Sequence, residues 1–329
     1  MCYNNQEIYK TRKVAEVMND MRFDTQVTPN EENTPKRPPL DKKAFKKKFK
    51  KEGRRVRGIS PMAGVSPYIM VERNDAQNLI RDTLRTDKID RYIKEKQRQG
   101  MTNFSIMHYL MASYIRAVAQ RPAINRFIRG QKVYTRDHIE ICLTIKKEMT
   151  LESPDTVVKA FFTPDATAED VYYELNRIIE EYRNAPGGSF DNAAKIVNYI
   201  PGVFKKFVIW FLKLLDYFGG LPRFLTKLSP FHGSFFITSM GSLGIPPIYH
   251  HLYNFGNVPI FLSFGAKYRQ NKINDDGKVE RRSYVDFTVV MDERICDGFY
   301  FASALKLMKG MAKNPWILDE VPEVIKDIK

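Results

Sequence analysis

Apolar and polar positions alternate over residues 138–145, where Ile139, Ile141, Leu143 and Ile145 are separated by Glu140, Cys142 and Thr144. A period of two predicts a half-buried strand. Residues 156–162 and 258–265 read as further strands, and 125–134 reads as a hairpin. Other stretches keep a helical period. Ile106, Leu110, Tyr114 and Val118 share one face of a helix predicted over 102–120, which Pro122 ends. Residues 167–184 form another predicted helix, with Glu169 and Asp170 in its first turn, the right sign for the helix dipole. Residues 66–75 read as a strand ending at a helix cap, and 76–98 as helical in propensity. The most informative stretch is 284–298, a strand that runs straight into a turn carrying Asp292, Glu293 and Asp297, with a helix pattern following over 299–313.

One segment fits this alternation poorly. Within residues 186–232, Phe204, Phe207, Val208, Phe211, Leu215 and Phe218 fall on one helical face, widened by Trp210 and Leu214 and interrupted by Lys205, Lys206, Lys213 and Asp216. Gly219, Gly220 and Pro222 break it, and 223–228 reads as a short second helix. Three readings stay open: a core or oligomer-contact helix, a lid over an apolar acyl pocket, and an interfacial helix lying on a membrane.

Charge changes the picture at the N-terminus. The chain of 329 residues carries a formal net charge of +15. Residues 36–57 hold 12 basic and 2 acidic side chains, or +10, so the rest carries only +5. Residues 1–60 therefore read as a flexible basic arm, with an irregular linker over 28–39. No nucleic-acid motif accompanies the run, so a solvated tail or an anionic membrane surface is the better expectation than nucleic acid. The three cysteines, Cys2, Cys142 and Cys296, have neither disulfide-framework nor metal-ligand spacing. No uncharged run of about 18 apolar residues is present. A cytoplasmic protein is expected, with peripheral membrane contact left open.

The turn reads Asp-Glu-Arg-Ile-Cys-Asp-Gly over 292–298. It resembles the Asp-His-Arg-x-x-Asp-Gly motif of the catalytic domain in the acyltransferase component of 2-oxo-acid dehydrogenase complexes, within the chloramphenicol-acetyltransferase-like superfamily. Residues 121–125, 233–244 and 258–265 resemble further segments of that domain in the same order. The resemblance implies an α/β fold, a two-layer mixed sheet with helices, over 61–320, with a tail over 321–329. It also implies a homotrimer with its active site between subunits. The implied activity is acyl transfer from a coenzyme A or acyl-carrier thioester, used as cosubstrate with no permanently bound cofactor. No lipoyl domain is recognisable ahead of the match.

The chain departs from the motif at its centre, because Glu293 occupies the place of the catalytic histidine. A carboxylate near its ordinary pKa of about 4.3 is a weak base, whereas one raised to about 6–7 by burial can serve. By the resemblance, Thr238 takes the oxyanion-stabilising position, or Ser239 beside it; Asp297 and Gly298 keep the turn; and Arg294 keeps the motif's arginine. Ser239 and Arg294 are the expected cosubstrate contacts. His250 and His251 form the best alternative base, while His138 and His232 read as polar surface or turn residues. Cys296 reads as packing, and no metal site is expected. A non-catalytic relative serving as an interaction or membrane-surface module is the alternative to an enzyme.

Overall fold

The computed structural model describes residues 52–146, 155–184 and 198–328. The expected arm up to residue 51 and residues 186–197 of the expected insert lie outside them. Among the described residues, nine strands build two sheets. A small antiparallel sheet joins β1 (Arg54–Arg55), β4 (Lys132–Thr135) and β3 (Arg126–Arg129). The large sheet has the order β2-β9-β8-β7-β5-β6, from β2 (Gln77–Arg85), β9 (Val279–Asp292), β8 (Ile260–Ile273), β7 (Phe235–Ser239), β5 (Ile139–Lys146) and β6 (Asp155–Phe162). It is mixed. The β5–β7 and β7–β8 pairs are parallel and the others antiparallel.

Strand alternation sorts the large sheet into two faces. Ile139, Ile141, Phe235, Ile237, Leu262, Val289 and Met291 point into the main core. There they meet α2 (Asp87–Arg98), α3 (Ile106–Gln120), α4 (Ala168–Asn184) and α7 (Gly298–Met311). The central helix α3 is buried from His108 to Ala119, not along one stripe only. Tyr114 of α3 stacks on Phe235 at 4.1 Å. The opposite face carries a smaller cluster of Cys142, Phe236, Phe261 and Val290, roofed by Leu252 and Val258.

The hairpin, α3, the strands and α4 lie where the sequence places them. Gly130 and Gln131 both take positive φ (51° and 57°) between β3 and β4, which suits the twist of a tight hairpin. Two readings fail. Residues 66–75 are not a strand: α1 (Pro61–Ile69) covers the first part, started by Pro61 and by the Ser60 hydroxyl accepting from the Ala63 N–H. Residues 76–98 are not one helix, because Gln77–Arg85 pairs along its whole length with β9 and only Asp87–Arg98 is helical. Nine residues of ladder outweigh local helix propensity.

Residues 52–60, read as the end of the arm, belong to the folded body. Glu52 is buried, and its carboxylate meets Arg129, Arg136 (3.4 Å) and the Asn257 amide (2.6 Å). The tail also packs on the body. Asp327 takes a bidentate contact from Arg126, and the Ile325 N–H donates to Ala119.

Burial alone would raise the Glu52 pKa, but the Arg136 and Arg129 guanidiniums outweigh it and hold the group down at about 2. Its stabilisation is therefore fully present above the ordinary carboxylate pKa and is lost as pH falls through about 2. Glu52→Gln should remove on the order of 3 kcal/mol at neutral pH. It should also flatten the fall in stability between about pH 5 and 2, measured by urea unfolding across that range.

Candidate active site

The motif turn is held by buried charge. Asp292 ends β9 with no exposed surface, and both its oxygens receive Arg294, Nε at 2.8 Å and Nη2 at 2.7 Å. Arg73 approaches the same carboxylate at 3.4 Å. The arginines then reach outward. Arg294 donates to the Met70 and Val71 carbonyls beyond α1, and Arg73 to those of Tyr253 and Gly256. One carboxylate so binds together the end of β9, the end of α1 and the crossing segment 244–258. Arg294 is consumed by this structural role, which corrects its assignment as a cosubstrate contact.

Glu293 stands immediately beyond this knot and is half-buried. Its N–H donates to the Ala76 carbonyl (2.9 Å), and its Oε2 accepts from the Asn78 amide (2.9 Å). Oε1 accepts no hydrogen bond from the described residues, which leaves one oxygen on a held side chain to take a proton. Asn78 has no sequence signal, since it lies 215 positions away. Asp297 is exposed and caps α7, accepting from the Tyr300 N–H at 2.8 Å. The turn's arginine, Arg294, is held by Asp292 and not by Asp297. Burial pushes the Cys296 thiol up to about 12, so it stays protonated and packs, as expected.

On the roofed face, Thr238, Ser263 and Thr288 stand level across β7, β8 and β9. The crossing segment satisfies two of the three. Ser263 Oγ accepts from the Ile248 N–H (3.2 Å), and Thr288 Oγ1 donates to the Ile248 carbonyl (2.5 Å). The crossing is close, because a Cβ on Gly265 would sit 2.6 Å from Pro247 Cδ. The half-buried Thr238 hydroxyl has no hydrogen-bond partner among the described residues. Its neighbour Ser239 accepts from the Ser242 N–H at 3.3 Å, in the turn that follows β7.

Further along the segment, the ring of His250 lies flat on Phe261 at 3.9 Å. Its Nδ1 is 2.8 Å from the His251 carbonyl. A carbonyl only accepts, so Nδ1 carries the proton and the neutral ring keeps its lone pair on Nε2. Burial lowers the His250 pKa, which favours that neutral form. His251 is exposed and stacks on His250 at 4.8 Å.

His138 and His232 are not surface residues. His138 is buried against Glu140 (2.7 Å) and Arg223 (3.1 Å). His232 is buried between Ser229 (2.8 Å) and Asp216 (3.2 Å). Both serve packing of charge within the fold.

Thr238 and Glu293 do not meet within one chain. Thr238 is level with Thr288, two strands across and five residues back from Glu293. At about 4.8 Å per strand and 3.3 Å per residue, this separates them by roughly 19 Å. His250 lies on the same face as Thr238 and nearer to it, since Phe261 under its ring is two residues before Ser263.

Comparison with known proteins gives the fold a place. No protein-family model and no curated protein matches the sequence. Among solved structures, a probable dihydrolipoamide acetyltransferase of Listeria monocytogenes is similar over 78% of this chain and 94% of its own, with TM-score 0.51 and 15% identity. The dihydrolipoamide acetyltransferase of Azotobacter vinelandii matches over 87% and 99%, with TM-score 0.49 and 12% identity. A chloramphenicol acetyltransferase matches over 76% and 93%, with TM-score 0.45 and 13% identity. The chain has the chloramphenicol-acetyltransferase-like fold that the motif resemblance implied.

Asp292→Leu should cost about 3–5 kcal/mol, because it leaves Arg294 and Arg73 buried without their counter-ion. Asp297→Ala should cost only about 1 kcal/mol, the loss of an exposed helix cap. Urea denaturation of the two variants measures the difference.

Proposed function

We propose that this chain, with its chloramphenicol-acetyltransferase-like fold, transfers an acyl group from a thioester to an acceptor bearing a hydroxyl or thiol. Coenzyme A or an acyl carrier is the proposed donor. Glu293 Oε1 takes the acceptor's proton as its oxygen or sulfur attacks the thioester carbonyl carbon. The carbonyl becomes an oxyanion, and the Thr238 hydroxyl donates to it. Collapse breaks the carbon–sulfur bond, and the departing thiolate recovers the proton from Glu293. The carrying observation is that both groups are left free on rigid supports: Glu293 Oε1 beside the Asp292 knot, and Thr238 Oγ1 at the end of a hydroxyl row whose other members are satisfied.

The roughly 19 Å between them requires two copies of the chain, Glu293 from one and Thr238 from the next. A homotrimer is the proposed assembly. Ile69, Val71 and Leu79 are large exposed apolar residues on segments adjoining the Glu293 turn, a surface that a second copy would cover.

One observation favours a second assignment of the base. His250 presents a free Nε2 on a ring whose tautomer is set by the His251 carbonyl, and burial lowers its pKa, which favours the neutral form a base needs.

Glu293→Gln should lower kcat/KM for acyl-CoA turnover by at least about 100-fold with unchanged Tm. Thr238→Val should lower kcat by about 100-fold. Co-refolding these two inactive variants should restore activity, because a mixed assembly contains sites with both groups intact. Turnover that survives Glu293→Gln but is lost in His250→Ala assigns the base to His250. No thioester cleavage by the wild type with coenzyme A or carrier donors overturns the enzymatic reading in favour of a non-catalytic module.

A further inference from the structure

Helix α5 (Gly202–Phe218) has no buried residue along its 17 positions. At 100° per residue, Val203, Phe207, Trp210, Leu214 and Tyr217 occupy one arc of about 80°. The half-buried Val208, Leu212 and Leu215 lie on the opposite side, so the apolar arc faces outward. Phe207 is 61% exposed, Trp210 55% and Phe218 75%. Phe204, Phe211 and Phe218 border the arc on one side, and Lys206 and Lys213 on the other. This inverts the usual pattern of a surface helix. In a single chain the segment is not a core helix, so of the first reading only the oligomer contact stays open, beside the lid and the membrane helix.

The helix is attached at its C-terminal end. Asp216 meets His232 at 3.2 Å, and Tyr217 Oη bonds Gln131 at 2.8 Å. Gly130 lets the hairpin close on the helix, since a Cβ there would lie 2.6 Å from the Tyr217 carbonyl oxygen. Among the described residues, no hydrogen bond or ion pair joins its first three turns to the sheets. A helix of this length extends about 25 Å.

Charge identifies the occupant. The helix's one acid, Asp216, is turned inward to His232, so the outward arc borders lysines only. Residues 36–51 hold nine basic side chains and one acid, Asp41. That run joins the body at Glu52, whose carboxylate binds Arg129, and Arg129 Cδ lies 3.3 Å from where a Cβ on Gly219 would be. Glu52, the residue that follows the basic run in sequence, thus sits at the base of the apolar helix. No helix among the described residues is long and apolar enough to cross a membrane. Exposed Trp and Phe bordered by Lys, next to a strongly basic segment, match the interface of a negatively charged bilayer.

We propose that α5 docks this protein on an anionic lipid bilayer, lying in the headgroup layer. Val203, Phe207, Trp210 and Leu214 enter the acyl region, while Lys206 and Lys213 meet the lipid phosphates. The proposal stands apart from the acyl-transfer reading.

The full chain is tested by co-sedimentation with phosphatidylcholine vesicles, with and without added phosphatidylglycerol. In a Trp316→Phe background, Trp210 alone reports fluorescence, because the chain has two tryptophans. The expected results are pelleting with the anionic vesicles, a blue shift of Trp210, and weak binding to phosphatidylcholine alone. Phe207→Glu with Trp210→Glu should weaken binding by at least about tenfold, and each of Lys206→Gln and Lys213→Gln by roughly fivefold. Circular dichroism checks that these variants fold. Two results overturn the proposal: wild type remaining in the supernatant with anionic vesicles, and vesicle binding unchanged in the double glutamate variant. A third is an oligomer in lipid-free solution that this variant dissociates, which assigns the face to a second copy.

Discussion

The carboxylate of Asp292 is the point on which the motif region is organised. A buried ion pair gains its strength from the low dielectric around it and from complete hydrogen bonding of its members. Here one arginine binds both oxygens from two residues away, and another approaches from beyond α1. Each arginine passes the constraint on to backbone carbonyls, at 70 and 71 in one direction and at 253 and 256 in the other. The segment 244–258 is fastened again at Ile248, which engages Ser263 and Thr288. The positions of Glu293 and of the roof over the hydroxyl row therefore share one support.

That arrangement explains how the two faces of the large sheet differ in use. The helix-covered face is filled by the chain's own apolar side chains and is available for stability alone. The other face is closed by a single irregular segment, by stacked rings and by the charges of Glu140, Lys159 and Arg223. Polar groups on such a face must be satisfied or reach solvent. Ser263 and Thr288 are satisfied and Thr238 is not, and this contrast gives the functional reading of Thr238 a physical basis independent of any resemblance. Both halves of the proposed chemistry are incomplete in one chain, so catalysis and assembly would be one question.

On the proposed readings, the apolar insert contacts lipid apart from the groups assigned to acyl transfer. Its helix leaves the sheets from the His232 and Gln131 contacts and carries its large rings away from the core. Glu52, which follows the basic run in sequence, lies beside that same attachment. A surface of this kind is costly in water and gains when covered.

Sequence alone determined most of the periodic elements, the existence of α3, the hairpin at Gly130 and the motif turn, because each rests on contacts between residues close along the chain. It also identified the fold through the order of its motifs. Residues 77–85 were misread as helical, since pairing with β9 decides them and lies some 200 positions away, whereas α1 was missed although its Ser60 cap and Pro61 are local. A like distance hid Asn78 behind Glu293 and Arg73 behind Asp292, while Ile248, nearer in sequence to the hydroxyl row, lies in an irregular segment that carries no periodic signal. Arg294 was visible as a charge, but only folding showed it spent on Asp292. Spacing along a chain reports which side chains share a local face. Which of them lose their freedom to a distant partner, and which stay available for chemistry, is settled only when the sheet brings the segments together.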